Sequence, residues 1–264
     1  MKISSNGVDL NVTDTGAQQP EDIALVFLHH WGGSSQTWNE VISRLRARFR
    51  CIAIDARGAG ASDAPAKGYS TTDHARDALI VVASLGLARY ILVGHSMGGK
   101  AAQLMAAGRP QGLLGVVLVA SSPLSPMAID ETQREQMKSA YADRNAIEWS
   151  LENVLSGSPI AESSRAQLLV DALRLSPQAK TGWIDIGTRE DFSQRAADIE
   201  VPIVIVAGEL DRVDPIAVVN AHIVARYPSA PVHFLPNKGH LLPVEAPEDV
   251  AAIIGVFAAS LQAE

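Results

Sequence analysis

A serine between two glycines, in the segment Gly94-His95-Ser96-Met97-Gly98, constrains the fold of this chain more than any other feature. The β-branched run at residues 90–93 predicts a buried strand before it, and residues 99–107 predict a helix after it. G-x-S-x-G between a strand and a helix is typical of a nucleophile elbow, a tight turn with the serine at its tip. Glycine at positions 94 and 98 lets the helix approach the strand without a Cβ clash. We therefore predict that Ser96 is a nucleophile.

A nucleophilic serine needs a base and an acid that orients the base. Residues 202–207 form a continuous apolar run that predicts a buried strand, and residues 231–236 predict the next strand. Asp211 follows the first of these strands and His240 follows the second. Because the carboxyl ends of parallel strands meet at one edge of the sheet, both side chains are expected beside Ser96. The predicted catalytic triad is Ser96, His240 and Asp211.

Other histidines compete with His240 for the role of the base. Three of them are expected to be packing or solvent groups: His74, His222 and His233. His95 lies next to Ser96 in the elbow, and its ring is expected to point away from the serine Oγ.

Two other carboxylates compete with Asp211. Glu209 lies too close to the end of its strand, and Asp214-Pro215 is typical of an N-cap and the first turn of a helix. No carboxylate follows the preceding strand at residues 116–120, because that strand runs into Ser121-Ser122-Pro123. Asp211 is therefore the preferred acid.

Two backbone N–H groups are expected to bind the oxyanion that forms during the reaction. Met97, the residue after the nucleophile, supplies the first by its position. The second is expected from the loop that follows the strand at residues 24–29, with Trp31 preferred over His30 as the donor. The Trp31 ring could equally be a hydrophobic lid on the core.

Several motifs in this order resemble the α/β-hydrolase fold family with a helical cap, over essentially the full length. They are residues 28–33, residues 55–63, residues 94–99, the Asp211 turn and Gly239-His240. The resemblance implies an α/β fold with a mostly parallel eight-stranded sheet flanked by helices, and no metal or organic cofactor. The serine at position 96 argues against the dehalogenase and epoxide hydrolase branches, which use aspartate there.

His30 departs from the family pattern, in which this position is usually glycine. Its ring is expected either to pack under the loop or to reach the mouth of the pocket and contact substrate. In both positions it is expected to tune the site without joining the triad.

The strand signal disappears between the two halves of the predicted core. We predict a core from residues 1–121 and 199–264, and a helical cap at residues 122–198 that covers the active site. The cap is expected to hold helices at 130–142, 147–155, 163–173 and 177–188. Candidates to line the pocket are His30, Trp31, Met127, Met137, Trp149 and Trp183. The candidates in the cap could equally well pack the cap against the core instead of lining the pocket.

Composition limits the remaining possibilities. The chain has 264 residues, is 47% apolar and carries a formal net charge of −7 with mixed signs, which argues against a nucleic-acid partner. Cys51, the single cysteine, is expected to be a small core residue. No leader or long apolar run is recognisable, so a cytoplasmic protein without membrane contact is expected, as a monomer or homodimer.

These features together predict a serine hydrolase for esters or lactones of small, largely apolar acyl compounds, acting through an acyl-enzyme. The same triad could instead serve carbon–carbon bond hydrolysis, perhydrolysis, cyanohydrin cleavage or cofactor-free oxygenation. A non-enzymatic ligand receptor built on this fold is disfavoured, because both the triad and the oxyanion positions are complete.

Overall fold

The computed structural model describes residues 1–16 and 23–262, and its centre is a single eight-stranded sheet. The strands are β1 (Lys2–Ser5), β2 (Val8–Asp14), β3 (Ala24–Leu28), β4 (Arg50–Ile54), β5 (Tyr90–His95), β6 (Leu113–Val119), β7 (Ile203–Gly208) and β8 (Val232–Leu235). Their spatial order is β1-β2-β4-β3-β5-β6-β7-β8. β1 and β2 pair antiparallel, as do β2 and β4, and every later pair is parallel. The predicted eight-stranded, mostly parallel sheet is confirmed.

Helices connect and cover the strands. They are α1 (Asn39–Leu45), α2 (Thr71–Ser84), α3 (Met97–Ala107), α4 (Glu131–Ser139), α5 (Arg144–Ser150), α6 (Glu162–Arg174), α7 (Pro177–Gly182), α8 (Ile216–His222), α9 (Leu242–Glu245) and α10 (Pro247–Gln262). Short 3₁₀ turns occur at Ser35–Trp38, Ser193–Asp198 and Val224–Arg226. No helix of the described chain is long and apolar enough to cross a membrane.

The central strands of the sheet are buried on both faces. Because successive side chains of a strand point to opposite faces, each of these strands contributes to two apolar clusters. In β3, Leu25 and Phe27 belong to an apolar cluster with residues of α1 and α10. Val26 and Leu28 belong to a second cluster with residues of α2 and α3. A parallel strand buried on both faces reads as a continuous apolar run, which is why these strands were recognisable from the sequence.

The N-terminal hairpin has the two-residue turn that its sequence predicts. Asn6 and Gly7 have φ angles of 50° and 82°, and they connect Ser5 of β1 to its partner Val8 of β2. Two positive φ angles in succession are the requirement of a type I′ turn, and the Asn-Gly pair tolerates them.

Helices α4 to α7 follow one another between β6 and β7, in the region predicted to be helical. Two of the predicted helices are irregular: α5 continues into a π turn at Leu151–Leu155, and α7 into another at Trp183–Gly187. Apolar side chains of α5 and α6 form a cluster that includes Leu241, the residue after His240. This packing places the helical segment against the carboxyl edge of the sheet.

Candidate active site

Ser96 lies at a tight turn between β5 and α3, as the elbow motif predicts. Its φ angle is 52°, a left-handed conformation that a non-glycine residue adopts at a cost. A Cβ added at Gly94 would lie 2.5 Å from the Gly98 carbonyl oxygen, and one at Gly98 would lie 2.4 Å from the Leu28 carbonyl oxygen. Only glycine fits either position, and the two glycines hold α3 close against β3 and β5.

Asp211 and His240 meet at the carboxyl edge of the sheet. His240 Nδ1 lies 2.8 Å from Asp211 Oδ2, and both side chains are buried. The other carboxylate oxygen, Asp211 Oδ1, accepts the N–H groups of Val213 at 2.8 Å and Asp214 at 3.0 Å. With Nδ1 donating to the carboxylate, His240 Nε2 is the nitrogen left to accept a proton.

The electrostatics of His240 suit a base. Burial alone lowers the pKa of His240, but the charge of Asp211 and its hydrogen bond more than offset this effect, so the pKa is raised. Asp211 in this position stabilises the protonated form of the His240 ring.

His95 connects the base to the elbow. Its Nε2 lies 2.8 Å from the His240 carbonyl oxygen, and the centroids of the two rings are 5.3 Å apart. Because His95 precedes Ser96 in the chain, this contact brings the His240 loop to the nucleophile. Among the described residues, the Ser96 hydroxyl makes no hydrogen bond with the His240 ring. Such bonds are often long before substrate binds.

Glu245 holds the backbone on either side of His240, a role that sequence reasoning did not foresee. Its Oε2 accepts the N–H of Gly239 at 3.0 Å, and its Oε1 accepts the N–H of Leu241 at 3.1 Å. The same Oε2 accepts the N–H groups of Gly157 at 2.9 Å and Ser158 at 2.8 Å from the helical segment. An acidic residue inside the apolar run Leu-Leu-Pro-Val-Glu-Ala was the signal that could have identified it.

The two predicted oxyanion donors lie at the start of α3 and in the loop after β3. Met97 is the first residue of α3, where an N–H has no partner within the helix. Trp31 lies in the loop after β3, and its carbonyl oxygen accepts the Tyr141 hydroxyl at 3.1 Å. Neither N–H donates a hydrogen bond to another residue of the described chain. Both are therefore free to bind a developing negative charge.

His29 fixes the backbone of this loop. Ala56 N–H donates to His29 Nε2 at 2.9 Å, which leaves the proton on Nδ1. His29 Nδ1 lies 2.7 Å from the carbonyl oxygen of His30 and donates to it. The ring therefore holds the peptide unit to which the Trp31 N–H belongs.

His30 packs under the loop rather than at the pocket mouth. Only 3% of the residue is exposed, and its ring centroid lies 4.8 Å from that of His95. A Cβ added at Gly33 would lie 2.5 Å from His30 Cε1, so the buried ring requires glycine there. Burial, with the neighbouring histidines, lowers the pKa of His30 well below its ordinary value, and the ring is neutral.

Four of the candidate pocket residues lie together beside the elbow. Met127 and Trp183 are buried in a cluster with Met97, and the partly buried Trp31 packs against it. The partly buried Met137 packs against the same cluster. The structure does not bring Trp149 into this cluster, because 61% of that residue is exposed.

Three of the competing histidines lie on elements other than the elbow. His74 is partly buried on α2, where desolvation lowers its pKa to about 4. His222 ends α8 and contacts the Ser125 hydroxyl at 3.2 Å, and His233 is exposed on β8.

The competing carboxylates differ in their surroundings. Glu209 is exposed and accepts the N–H of Asn237 at 3.1 Å. Asp214 does not cap α8 as its sequence context suggests, because the N-cap residue is Pro215. Asp214 is instead buried beside the Asp211–His240 pair. Within the described residues, no group of three His, Cys, Asp or Glu side chains is arranged to hold a metal ion.

Comparison with known proteins agrees with this geometry. The model of the alpha/beta hydrolase family matches residues 25–253. This chain belongs to that family. A Bacillus subtilis protein provisionally named 2-succinyl-6-hydroxy-2,4-cyclohexadiene-1-carboxylate synthase is 29% identical over 274 residues, which cover 97% of each chain. A pimeloyl-acyl-carrier-protein methyl ester esterase of Pectobacterium carotovorum is 30% identical over 202 residues, covering 72% of this chain and 77% of the relative.

The fold agrees with that of a solved esterase. The esterase from Rhodococcus sp. ECU1013 superposes with a TM-score of 0.85 and 26% sequence identity, over 98% of each chain. The predicted family and fold are confirmed, and the relatives named as esterases support the prediction of a carboxylic ester hydrolase.

Proposed function

We propose that this protein hydrolyses carboxylic esters or lactones of small, largely apolar acyl compounds, with Ser96 as the nucleophile. One observation carries the proposal. The elbow serine has a φ angle of 52°, its neighbour His95 contacts the His240 carbonyl oxygen at 2.8 Å, and His240 Nδ1 lies 2.8 Å from Asp211 Oδ2. A strained serine next to an oriented imidazole is the arrangement that acyl transfer requires.

The reaction follows from these positions. Ser96 Oγ attacks the carbonyl carbon while His240 Nε2 takes the hydroxyl proton, and Asp211 stabilises the resulting imidazolium. The N–H groups of Met97 and Trp31 bind the oxyanion. His240 then returns the proton to the leaving alcohol, and an acyl-enzyme forms. Water, deprotonated by His240, attacks the acyl-enzyme and releases the acid and the free serine.

The substrate class is argued from the apolar cluster next to the oxyanion donor. Met97, Met127 and Trp183 are buried together, with Trp31 and Met137 against them. Thioether and indole side chains of this kind accommodate apolar acyl groups. A relative whose name assigns it a methyl ester substrate supports ester chemistry at such a site.

The Bacillus subtilis relative has the provisional name of a synthase. Other reactions of the same triad are therefore the alternative to ester hydrolysis. The test is a substrate screen across esters, lactones and β-diketones of graded acyl length, with products identified by mass spectrometry. We expect Ser96-dependent hydrolysis of short apolar esters or lactones. Cleavage of a carbon–carbon bond in the diketones, without ester turnover, would replace this proposal with the alternative.

The nucleophile is tested separately with a fluorophosphonate probe, which reacts with activated serines. Peptide mapping should find the label on Ser96 only, and Ser96→Ala should abolish both labelling and turnover, with a loss in kcat of about 10⁴–10⁶-fold. Labelling at another residue would contradict the assignment.

A further inference from the structure

Asp214 is a buried carboxylic acid next to the candidate triad that the mechanism above does not use. Only 1% of the residue is exposed, and its Oδ2 atom has no hydrogen-bond partner within the described chain. Its backbone N–H donates to Asp211 Oδ1 at 3.0 Å, so the two aspartates are held in one turn. A buried carboxyl oxygen without a partner is costly, so its presence next to the candidate triad calls for an explanation.

The groups around Asp214 come from four parts of the sheet edge. Asp211 lies in its own loop, His240 in the loop after β8, and Lys100 on α3. The Ser122 hydroxyl, which follows β6, is buried beside it and opposes the rise in its pKa. Asp214 therefore brings a carboxyl group to the end of β6. The residues that follow this strand, Ser121-Ser122-Pro123, include no acidic side chain.

Lys100 does not neutralise Asp214 through a salt bridge. Its Nζ donates to the carbonyl oxygens of Ser125, Gly187 and Glu190, at 3.2, 3.0 and 2.7 Å. These three acceptors use all the donors of an ammonium group. Of the two cationic groups that act on Asp214, His240 therefore has the larger effect and Lys100 the smaller one.

We propose that Asp214 is a second acid of the His240 site, a positioning residue that is neutral at low pH and faces His240 with a negative charge at higher pH. The proposal rests on the function assigned to Ser96 and His240 above. When Asp214 loses its proton to solvent, its carboxylate joins that of Asp211 in stabilising the His240 imidazolium.

The balance of charges supports this behaviour near neutral pH. Burial raises the pKa of Asp214 most strongly, the His240 charge opposes that shift, and Asp211 adds to it, with a resulting pKa of about 7. Both forms of Asp214 are therefore populated near neutral pH.

The experiment compares the pH dependence of Ser96 labelling by the fluorophosphonate probe in the wild type and in Asp214→Asn. The amide keeps the size of the side chain but cannot ionise. We expect rates within about twofold of each other at pH 5.5, where Asp214 is neutral, and a variant about tenfold slower at pH 9. Glu209→Gln, an exposed carboxylate in the same loop, should follow the wild-type profile throughout.

Two results would overturn the proposal. A loss of the same factor at every pH would mean that Asp214 acts only through packing, and identical profiles would mean that it has no role. Asp214→Val provides a second uncharged variant if the amide does not fold, and it should reproduce the same pH-dependent loss.

The Asp211→Asn background tests the second acid directly. Adding Asp214→Asn to that variant should reduce the labelling rate about tenfold further at pH 9 and leave it unchanged at pH 5.5. Wild-type labelling of Ser96 reports the proposed function independently. If the wild type is not labelled, that function and this proposal both fail; if it is labelled and the profiles coincide, only the role of Asp214 is refuted.

Discussion

Gly157 and Gly239 lie backbone against backbone, and this contact joins the helical segment to the loop that carries His240. A Cβ added at Gly157 would lie 2.5 Å from the Gly239 amide nitrogen, and one at Gly239 would lie 2.3 Å from that of Gly157. Next to this contact, the N–H of His240 donates to the Leu155 carbonyl oxygen at 2.8 Å. The position of the base therefore depends on the helical segment as well as on the sheet.

Gly157→Ala should displace the His240 loop, because neither backbone can yield to the added methyl group. We expect kcat to fall by about 10–100-fold, since a small misplacement of a catalytic group has a cost of this order. Steady-state kinetics with an ester substrate provides the measurement. Gly255→Ala is the matched control, because its added Cβ would meet Leu45 Cδ2 at an ordinary 3.5 Å. Equal activity in both variants would contradict the role assigned to the contact.

Asp211→Asn should reduce kcat by about 10⁴-fold, because the amide does not hold His240 in the tautomer that accepts the serine proton. Asp214→Asn should cost far less at the same pH. Removal of the Asp211 charge also lowers the pKa of His240, so the residual activity should persist to lower pH than in the wild type. If both variants lost activity equally, the acid would be wrongly assigned.

His30→Gly, which introduces the residue usual in the family, should leave Ser96 reactive toward the fluorophosphonate probe. The ring is buried against His95, so its loss should appear as a reduction of about 2–4 kcal/mol in the free energy of unfolding. Urea denaturation measures this change. His240→Ala should suppress labelling, because the base is gone. Suppression by His30→Gly in a folded protein would place His30 in the catalytic machinery.

His74 should make the fold less stable in acid. Burial lowers its pKa to about 4 in the folded protein, whereas the ordinary value is 6.5. The unfolded chain therefore binds more protons below pH 6.5, and the free energy of unfolding falls by roughly 3 kcal/mol between pH 6.5 and 4 from this residue.

Urea unfolding of the wild type and His74→Gln across that pH range tests this linkage. The variant should lose less stability on acidification than the wild type. His233→Gln, on the exposed face of β8, should show the wild-type dependence. Parallel curves for wild type and His74→Gln would show that His74 does not contribute.

Local sequence signals determined the positions of the elements and the candidate triad. The runs that became β5 and β7 are apolar because these parallel strands are buried on both faces. Gly94 is required by the turn itself, since an added Cβ would lie 2.5 Å from the Gly98 carbonyl oxygen, whereas Gly98 is required by the Leu28 carbonyl oxygen at the end of β3. Residues that follow parallel strands share one sheet edge, so the proximity of Asp211 and His240 could be predicted without coordinates.

Tertiary packing decided the features that join distant parts of the chain. The Glu245 carboxylate binds the amide of Gly157, 88 positions away, and no local pattern encodes that pair. The burial of Asp214 and His30 and the exposure of Trp149 depend equally on which surfaces the helical segment covers. The sequence alone therefore determined the strands of the sheet and the order in which the candidate catalytic residues follow them. The surroundings of each charged group were decided only when residues far apart in the chain packed together, because burial and hydrogen bonding are properties of that packing.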